Sequence, residues 1–171
     1  MRNFLAAAVR YSGIFAGLAV VYVLLDFMID ARPPQVQDSY RFRVGELLPD
    51  RPGILRQDNL SIVIINRSAD TIARLTQASA GLQDPDSKDS HQPGFALNPL
   101  RSKHPEWFVS YAIGTHLGCG LEVVEAGLRE ICSSATYDYA GRARQGGDRF
   151  QNLAIPDYTF SEDFKFLTIW P

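Results

Sequence analysis

The chain opens with one long apolar segment and continues with short apolar runs separated by turns. Residues 4–29 are almost wholly apolar, interrupted by the charged side chains of Arg10 and Asp26. A helix that spans a bilayer needs about 20 apolar residues, a length that residues 11–29 approach. We therefore predict that residues 1–30 form a single transmembrane helix, an N-terminal membrane anchor.

Charges at the two ends of the apolar segment predict its orientation. Arg2 and Arg10 precede the run, whereas Asp26 and Asp30 follow it. Because positive charge is retained on the cytoplasmic side, we expect the N-terminus in the cytoplasm and the rest of the chain in the periplasm or its equivalent. The membrane would be an inner membrane, of the cytoplasmic or mitochondrial type.

A cleaved signal peptide is the competing interpretation of this segment. It would end near Ala31, but Arg-Pro-Pro at 32–34 is a poor context for cleavage, which favours an uncleaved anchor. Residues 31–39 are polar and contain two prolines, a composition typical of a semi-extended tether. Residues 40–171 would then form the exported head.

The head has the pattern of a mainly β domain. Apolar, β-branched runs lie between turns rich in Gly and Pro, and one short helix is indicated at 68–75, with Ser68 as its N-cap. Many short strands with a single small helix favour an all-β arrangement. The predicted strands are 60–66, 107–113, 121–124, 128–131 and 164–170, the third and fourth forming a hairpin that turns at 125–127.

Composition restricts the kinds of function. The formal net charge is −2, which argues against a nucleic-acid partner because no global basic surface is available. The chain has two cysteines and three histidines, so a site with four soft ligands would need nearly all of them. A long polar loop at 83–102 contains three prolines, and a loop of this length is usually functional or packed on a partner.

Two motifs, each with one cysteine, carry a resemblance to a known family. They read G-T-H-L-G-C at 114–119 and E-I-C-S-S-A-T-Y-D-Y-A-G-R at 130–142. The chain resembles the Rieske iron–sulfur proteins of cytochrome bc-type quinol–cytochrome c oxidoreductases, whose motifs are C-T-H-L-G-C and C-P-C-H-G-S-x-Y-D-x-x-G-R. Further matching segments lie at 82–93, 98–102, 105–109 and 152–160. The resemblance implies a membrane helix followed by a head of small antiparallel sheets.

The positions of the cluster ligands depart from the family. Rieske proteins hold one iron of a 2Fe–2S cluster by two cysteines and the other by two histidines. The resemblance places these ligands on Gly114 and Glu130, and on His116 and Ser133, so that His116 alone is kept. Glycine offers no ligand atom, and Glu and Ser offer hard oxygen atoms that suit an iron–sulfide cluster poorly. We therefore expect no cofactor and no metal at these vestigial positions.

The surroundings of the cluster also depart from the family. The serine whose hydroxyl bonds to the cluster is replaced by Ala135, although the corresponding tyrosine is kept as Tyr137. The proline-bearing loop that covers the cluster corresponds to residues 147–150, which contain no proline. The histidine that meets quinol in the family is Ser133 here, so the family's route of electron transfer is absent.

Cys119 and Cys132 fall on the family's two disulfide positions rather than on ligand positions. An even pair of cysteines in an exported domain agrees with a disulfide. Closing a loop of about 14 residues should contribute roughly 3 kcal/mol. A zinc site from His116, Cys119, Glu130 and Cys132 is an alternative, but oxidation of the two cysteines would remove both thiolates.

The resemblance and the missing ligands together lead to one functional hypothesis and two alternatives. We predict a cluster-free, Rieske-like accessory or structural subunit of a cytochrome bc-type respiratory complex, not catalytic by itself. Its partners would be cytochrome b, c-type subunits and membrane lipid, with a genuine Rieske subunit or a neighbouring oxidase as further candidates. The first alternative is the 2Fe–2S electron-transfer subunit of ubiquinol–cytochrome c reductase. The second is a free-standing periplasmic binding module.

Overall fold

The structure is a computed structural model that describes residues 2–30, 38–125, 127–146 and 150–170. It divides into two compact units, Met1–Gln37 and Asp38–Pro171. Most of the predicted tether (31–37), the turn residue Ala126 and residues 147–149 of the expected covering loop lie outside the described residues.

The first unit contains one long helix, α1, at Arg2–Asp30. Its segment Ala6–Ile29 is long and apolar enough to cross a membrane, judged by length and composition. Apolar side chains lie on every side of the helix, so it has no polar stripe of the kind found on helices that cover a soluble core. This helix fits a single-pass membrane anchor and is longer than the apolar run that predicts it.

The second unit is built mainly from short strands. One α-helix, α2, spans Ala69–Gln77, and a 3₁₀ turn lies at Gly94–Ala96. The strands in the described part of this unit are β1 (Tyr40–Arg43), β2 (Gly53–Gln57), β3 (Leu60–Asn66), β4 (Trp107–Tyr111), β5 (Leu121–Val124), β6 (Gly127–Glu130), β7 (Thr136–Tyr137), β8 (Asp157–Phe160) and β9 (Phe166–Trp170).

The strands pair in three antiparallel sheets of three strands each within the described residues. Their orders are β1-β9-β8, β2-β3-β4 and β5-β6-β7. Strand β3 is central in its sheet, and Ile62, Val63, Ile64 and Ile65 are fully buried there, which explains why its sequence is a continuous β-branched run. The prediction of a head with small antiparallel sheets and one short helix is confirmed.

Several predicted boundaries are corrected by the structure. Phe164 does not begin the last strand, because its φ of 53° places it in a turn and β9 starts two residues later. Strand β4 ends at Tyr111, so Ile113 lies outside it and forms only an isolated bridge with Gly120. Strand β6 ends at Glu130, which leaves Ile131 in a turn. The N-cap prediction is confirmed, since Ser68 Oγ accepts a hydrogen bond from the N–H of Thr71 at 3.2 Å.

The long loop 83–102 packs on its own head. Near its start, the carboxylate of Asp84 accepts bonds from the N–H groups of Lys88 and Asp89 and from Ser90 Oγ. Near its end, the fully buried Arg101 donates to the carbonyl oxygens of Leu153 (2.8 Å) and Gly141 (3.0 Å). The loop is therefore fixed at both ends by internal hydrogen bonds.

Two further buried arginines hold other segments to this framework. Arg142 pairs with Asp138 at 2.8 Å and also donates to the carbonyl oxygen of Leu75 at the end of α2. Arg67 donates to the carbonyl oxygens of Pro105 and Leu100. Burial lowers the pKa of Arg67 to about 10 and that of Arg101 to about 9, values at which both remain charged at neutral pH.

Candidate functional site

The two motif-bearing loops lie side by side. The first loop, residues 112–120, joins β4 to β5, and the second loop, residues 131–135, joins β6 to β7. Because β5 and β6 form a hairpin, the end of β6 returns to the start of β5, and Leu121 pairs with Glu130. The N–H of Ile131 donates to the carbonyl oxygen of Gly120 at 3.0 Å, which joins the bases of the two loops.

A disulfide connects the loops. Cys119 of the first loop and Cys132 of the second are bonded, with their Cα atoms 6.0 Å apart. Cys119 is half-buried, whereas Cys132 is exposed. The pairing that the resemblance implies is therefore present in the structure.

A buried carboxylate forms a second connection between the loops. Glu130, the last residue of β6, is fully buried. Its Oε1 atom accepts hydrogen bonds from the N–H groups of Leu117 at 3.0 Å and Cys119 at 2.9 Å. Its Oε2 atom accepts a bond from Ser133 Oγ at 2.7 Å. The carboxylate thus bonds to both loops at once, as the disulfide does covalently.

These hydrogen bonds set the charge state of Glu130. Burial by itself would raise the pKa of this carboxyl. The bond from Ser133 and those from the N–H groups of Cys119, Leu117 and Gly118 outweigh burial and hold the pKa below its usual value. Glu130 is therefore an ionised carboxylate at neutral pH.

Gly114 leaves the space in which this carboxylate lies. A Cβ atom at position 114 would come within 2.5 Å of Glu130 Cδ and 2.7 Å of Oε1, closer than real atoms approach. Gly114 is itself buried, and its N–H donates to the carbonyl oxygen of Cys119 at 2.8 Å. Its requirement for glycine is consequently one of space rather than of backbone conformation.

His116 is the one expected ligand position that keeps the residue type of the Rieske motif. Its ring packs against an aromatic side chain. Its ring centroid lies 5.5 Å from that of Phe150, with the rings tilted by 30°. Phe150 also makes an edge-to-face contact with Tyr137 at 5.4 Å. The described end of the expected covering loop therefore contributes an aromatic ring that packs between His116 and Tyr137.

The hydroxyl of Tyr137 is hydrogen-bonded to the first loop. Its hydroxyl accepts the N–H of Thr115 at 2.9 Å, and Thr115 Oγ1 also bonds to the carbonyl oxygen of Gln151. Burial raises the pKa of Tyr137, opposed by the bonds from Thr115. Ala135 is buried beside it in the second loop and offers no hydroxyl. The tyrosine that matches the Rieske motif thus accepts a hydrogen bond from the first loop of the same head.

These residues do not fit the 2Fe–2S cluster that the resemblance implies. Of the four expected ligand positions, Gly114 and Ser133 each contact Glu130, and none of these three residues offers a sulfur or imidazole atom. The ligand atoms of Cys119, Glu130 and Cys132 lie within 4.8 Å of one another, as a metal site would require. However, both sulfurs are consumed in the disulfide, and both carboxylate oxygens accept hydrogen bonds.

Part of this arrangement was not foreseen from the sequence. The aromatic role of Phe150 and the contact of Glu130 with Gly114 are absent from the motif comparison, which treats both 114 and 130 as lost ligands. A signal was nevertheless present, since a glycine at one ligand position coincides with a long acidic side chain at the other. Such a pair is consistent with a glycine that leaves space for the glutamate side chain.

Three exposed apolar side chains lie on the two loops. Ile113, Leu117 and Ile131 are 50%, 61% and 63% exposed, respectively. Ile113 bridges to Gly120, and Ile131 bonds to the same residue, so both lie at the base of the loop pair, whereas Leu117 lies in the middle of the first loop. We call these three residues the apolar rim. Large apolar side chains grouped on a surface are typical of interaction sites.

Comparison with known proteins finds similarity to iron–sulfur subunits of ubiquinol–cytochrome c reductase and to Rieske subunits of cytochrome b-c1 complexes. No family model matches it. It is 27% identical over 179 residues to the ubiquinol–cytochrome c reductase iron–sulfur subunit of Allochromatium vinosum, covering 97% of this chain and 86% of that protein. It is 31% identical over 130 residues to the mitochondrial cytochrome b-c1 complex subunit Rieske of Candida albicans, covering 73% of this chain and 55% of that protein.

A solved structure described as a hyperthermophilic respiratory Complex III contains a chain with a TM-score of 0.48 and 15% identity. The match covers 95% of this chain and 98% of that one.

Proposed function

Because this chain is homologous to the Rieske iron–sulfur subunits of ubiquinol–cytochrome c reductase, we propose that it is an accessory subunit of a cytochrome bc-type respiratory complex. In this proposal it has no cluster and no redox activity of its own. It acts through the surfaces that its head presents, beside cytochrome b and c-type subunits.

The contact among the former ligand positions is the observation that carries the cluster-free part of the proposal. The Glu130 carboxylate lies in the space that Gly114 leaves free, and it accepts a hydrogen bond from Ser133 Oγ. A cluster at this place would need ligand atoms that these residues lack and would displace a carboxylate with several internal bonds. Site chemistry rather than fold therefore supports the cluster-free assignment.

The proposed arrangement in the membrane follows from the apolar helix. Residues 1–30 form the anchor, residues 31–39 the tether and residues 40–171 the head, which lies in the periplasm or its equivalent. The helix at Ala6–Ile29 supports the anchor by its length, and the arginines that precede it support the orientation. The anchor would hold the head beside the other subunits of the complex.

The apolar rim supports a protein contact made by the head. Ile113, Leu117 and Ile131 expose apolar side chains around loops that are braced both by a disulfide and by Glu130. A rigid apolar surface loses little conformational entropy when it binds. We propose that the rim contacts a subunit of the bc complex.

Purification from native membranes tests the proposal. The tagged full-length chain, extracted in mild detergent, should retain bc-complex subunits, contain no stoichiometric iron and give no Rieske-type EPR signal. Two irons per chain with such a signal would instead establish the electron-transfer subunit. Recovery of the chain without other subunits would favour a free-standing binding module.

Matched variants test the contact surface. Leu117→Asp and Ile131→Asp should each reduce the recovered bc subunits at least tenfold, because a buried unpaired charge opposes association. Leu48→Asp alters a similarly exposed leucine outside both loops and should leave recovery unchanged. Equal recovery with all three variants would exclude the rim as the contact.

A further inference from the structure

The carboxylate of Glu130 lies where the first loop directs several of its backbone N–H groups. Those of Leu117 and Cys119 both point at Oε1, and Ser133 Oγ approaches Oε2 from the second loop. A backbone N–H is a strong donor, and these donors converge on the fully buried side chain of Glu130, which is therefore the acceptor at the centre of the loop pair.

We propose that Glu130 is a built-in anion that replaces the cluster as the centre around which the two loops are folded, with Gly114 as its required partner. This inference rests on the proposed cluster-free state and extends it. The loss of the cluster is balanced within the chain, since one side chain supplies both the negative charge and the hydrogen-bond acceptors. The loops consequently keep a defined shape without metal.

The geometry separates this role from that of the disulfide. The disulfide joins Cys119 to Cys132, whereas Glu130 bonds to Leu117, Cys119 and Ser133 through its two oxygens. The loop pair therefore has two chemically different connections, one covalent and one made of hydrogen bonds to a carboxylate. Either connection should limit opening of the loops when the other is lost.

The space around Gly114 makes the pairing with Glu130 specific. A clash with the end of a long side chain is normally relieved by rotation of that chain. Here rotation of the Glu130 carboxylate away from a new Cβ would break its bonds to Leu117 and Cys119. Glycine at 114 and an ordered carboxylate at 130 are consequently required together.

The rate at which a phosphine reductant opens the disulfide tests the role of Glu130. Cys119 is half-buried, so attack of the phosphine on the disulfide should become faster when the loops open. In the full-length, detergent-purified protein, Glu130→Leu should speed reduction at least tenfold, and Glu130→Gln should lie between this variant and the wild type. Glu122→Leu on the adjacent strand changes a partly exposed glutamate paired with Arg129 and should stay within twofold of the wild type.

A double substitution tests the pairing. Gly114→Ala alone should speed reduction at least tenfold, because the new methyl group displaces the carboxylate. Adding Gly114→Ala to Glu130→Ala should change the rate by less than threefold relative to Glu130→Ala alone, since the carboxylate and the Cγ atom that the new methyl group would meet are then both absent. The coupling requires all four rates, so the comparison of Glu130→Leu with Glu122→Leu remains the test if Gly114→Ala accumulates poorly.

Two results would overturn the inference. One is a Glu130→Leu rate equal to that of Glu122→Leu. The other is a Gly114→Ala effect of the same size with and without Glu130. Neither result depends on iron content or on recovered subunits, so failure of this inference is distinguishable from failure of the proposed function.

Discussion

Ser133 Oγ donates a hydrogen bond of 2.7 Å to Oε2 of Glu130. By the resemblance to Rieske proteins, these two positions hold ligands of different irons. Here the two residues bond to each other, and the N–H of Ala135 in turn donates to Ser133 Oγ at 3.2 Å. The end of β6 and the second loop are thereby closed by a short chain of hydrogen bonds.

Acid should weaken the head in a way that depends on Glu130. Hydrogen bonds hold its folded-state pKa below the usual value, so its stabilising effect is complete above the unfolded-state pKa of about 4.3. The effect is lost as the pH falls through the folded-state pKa. Urea unfolding followed between pH 7 and pH 3 should show a smaller loss of stability for Glu130→Gln than for the wild type.

Other carboxylates titrate in the same range, including Asp84, whose pKa is also lowered despite burial because of bonds from Lys88, Ser90 and Asp89. The difference between the two proteins isolates Glu130, since these groups are common to both. Parallel pH curves for wild type and Glu130→Gln would contradict the assignment of an ionised buried carboxylate.

Removal of the disulfide should lower the free energy of unfolding by about 3 kcal/mol. The two cysteines are 13 residues apart, and the expected loss follows from the extra freedom of the unfolded chain. Urea unfolding of the Cys119→Ser/Cys132→Ser variant measures it. A phosphine reductant should destabilise the wild type and leave the variant unchanged. A variant as stable as the oxidised wild type would show that the disulfide contributes nothing.

Arg101 should be essential to the framework of the head. Its guanidinium group is fully buried and donates to three carbonyl oxygens and to Gln92 Oε1. Arg101→Lys keeps the charge but cannot reproduce this planar set of donors, so we expect a loss of about 2–4 kcal/mol in urea unfolding. Arg129→Lys, on an exposed strand position, is the matched control and should change stability by less than about 0.5 kcal/mol.

The hydroxyl of Tyr137 should stabilise the first loop. It accepts the N–H of Thr115, so Tyr137→Phe leaves that donor without this acceptor and should cost about 1 kcal/mol. Hydrogen exchange at the amide of Thr115 should accelerate in the variant. Tyr139→Phe, a half-buried tyrosine next to the same strand, provides the comparison. Unchanged exchange at Thr115 in Tyr137→Phe would contradict this role.

The sequence predicts the elements whose own pattern determines them. Strand β3 has a continuous β-branched run and α2 has a serine N-cap, so both were found at or near their true bounds. Strands β1, β2, β7 and β8 were not predicted. They are short, and β1 and β8 alternate buried and exposed positions along only four residues each, which gives too little periodicity to distinguish them from a turn.

The motif comparison identifies the positions of the site but not their new contacts. It places Gly114, His116, Glu130 and Ser133 in two facing loops, and the structure brings those loops together. It does not reveal that Glu130 bonds back to Leu117 and to the other loop residues, because hydrogen bonds across loops depend on tertiary geometry. Comparison with the family motif shows which ligand atoms a position lacks. The contacts that its present side chain makes depend on the tertiary packing.

The close approach of position 114 to Glu130 also constrains history. On this backbone, any side chain larger than glycine at 114 excludes the carboxylate from its bonded position. In a lineage that descended from a chain with cysteine at both positions, the order of the two substitutions would be restricted. The glutamate at 130 could take up its present bonds only once position 114 was glycine. With Glu130 in its present position, replacing Gly114 alone by a larger residue would displace the carboxylate.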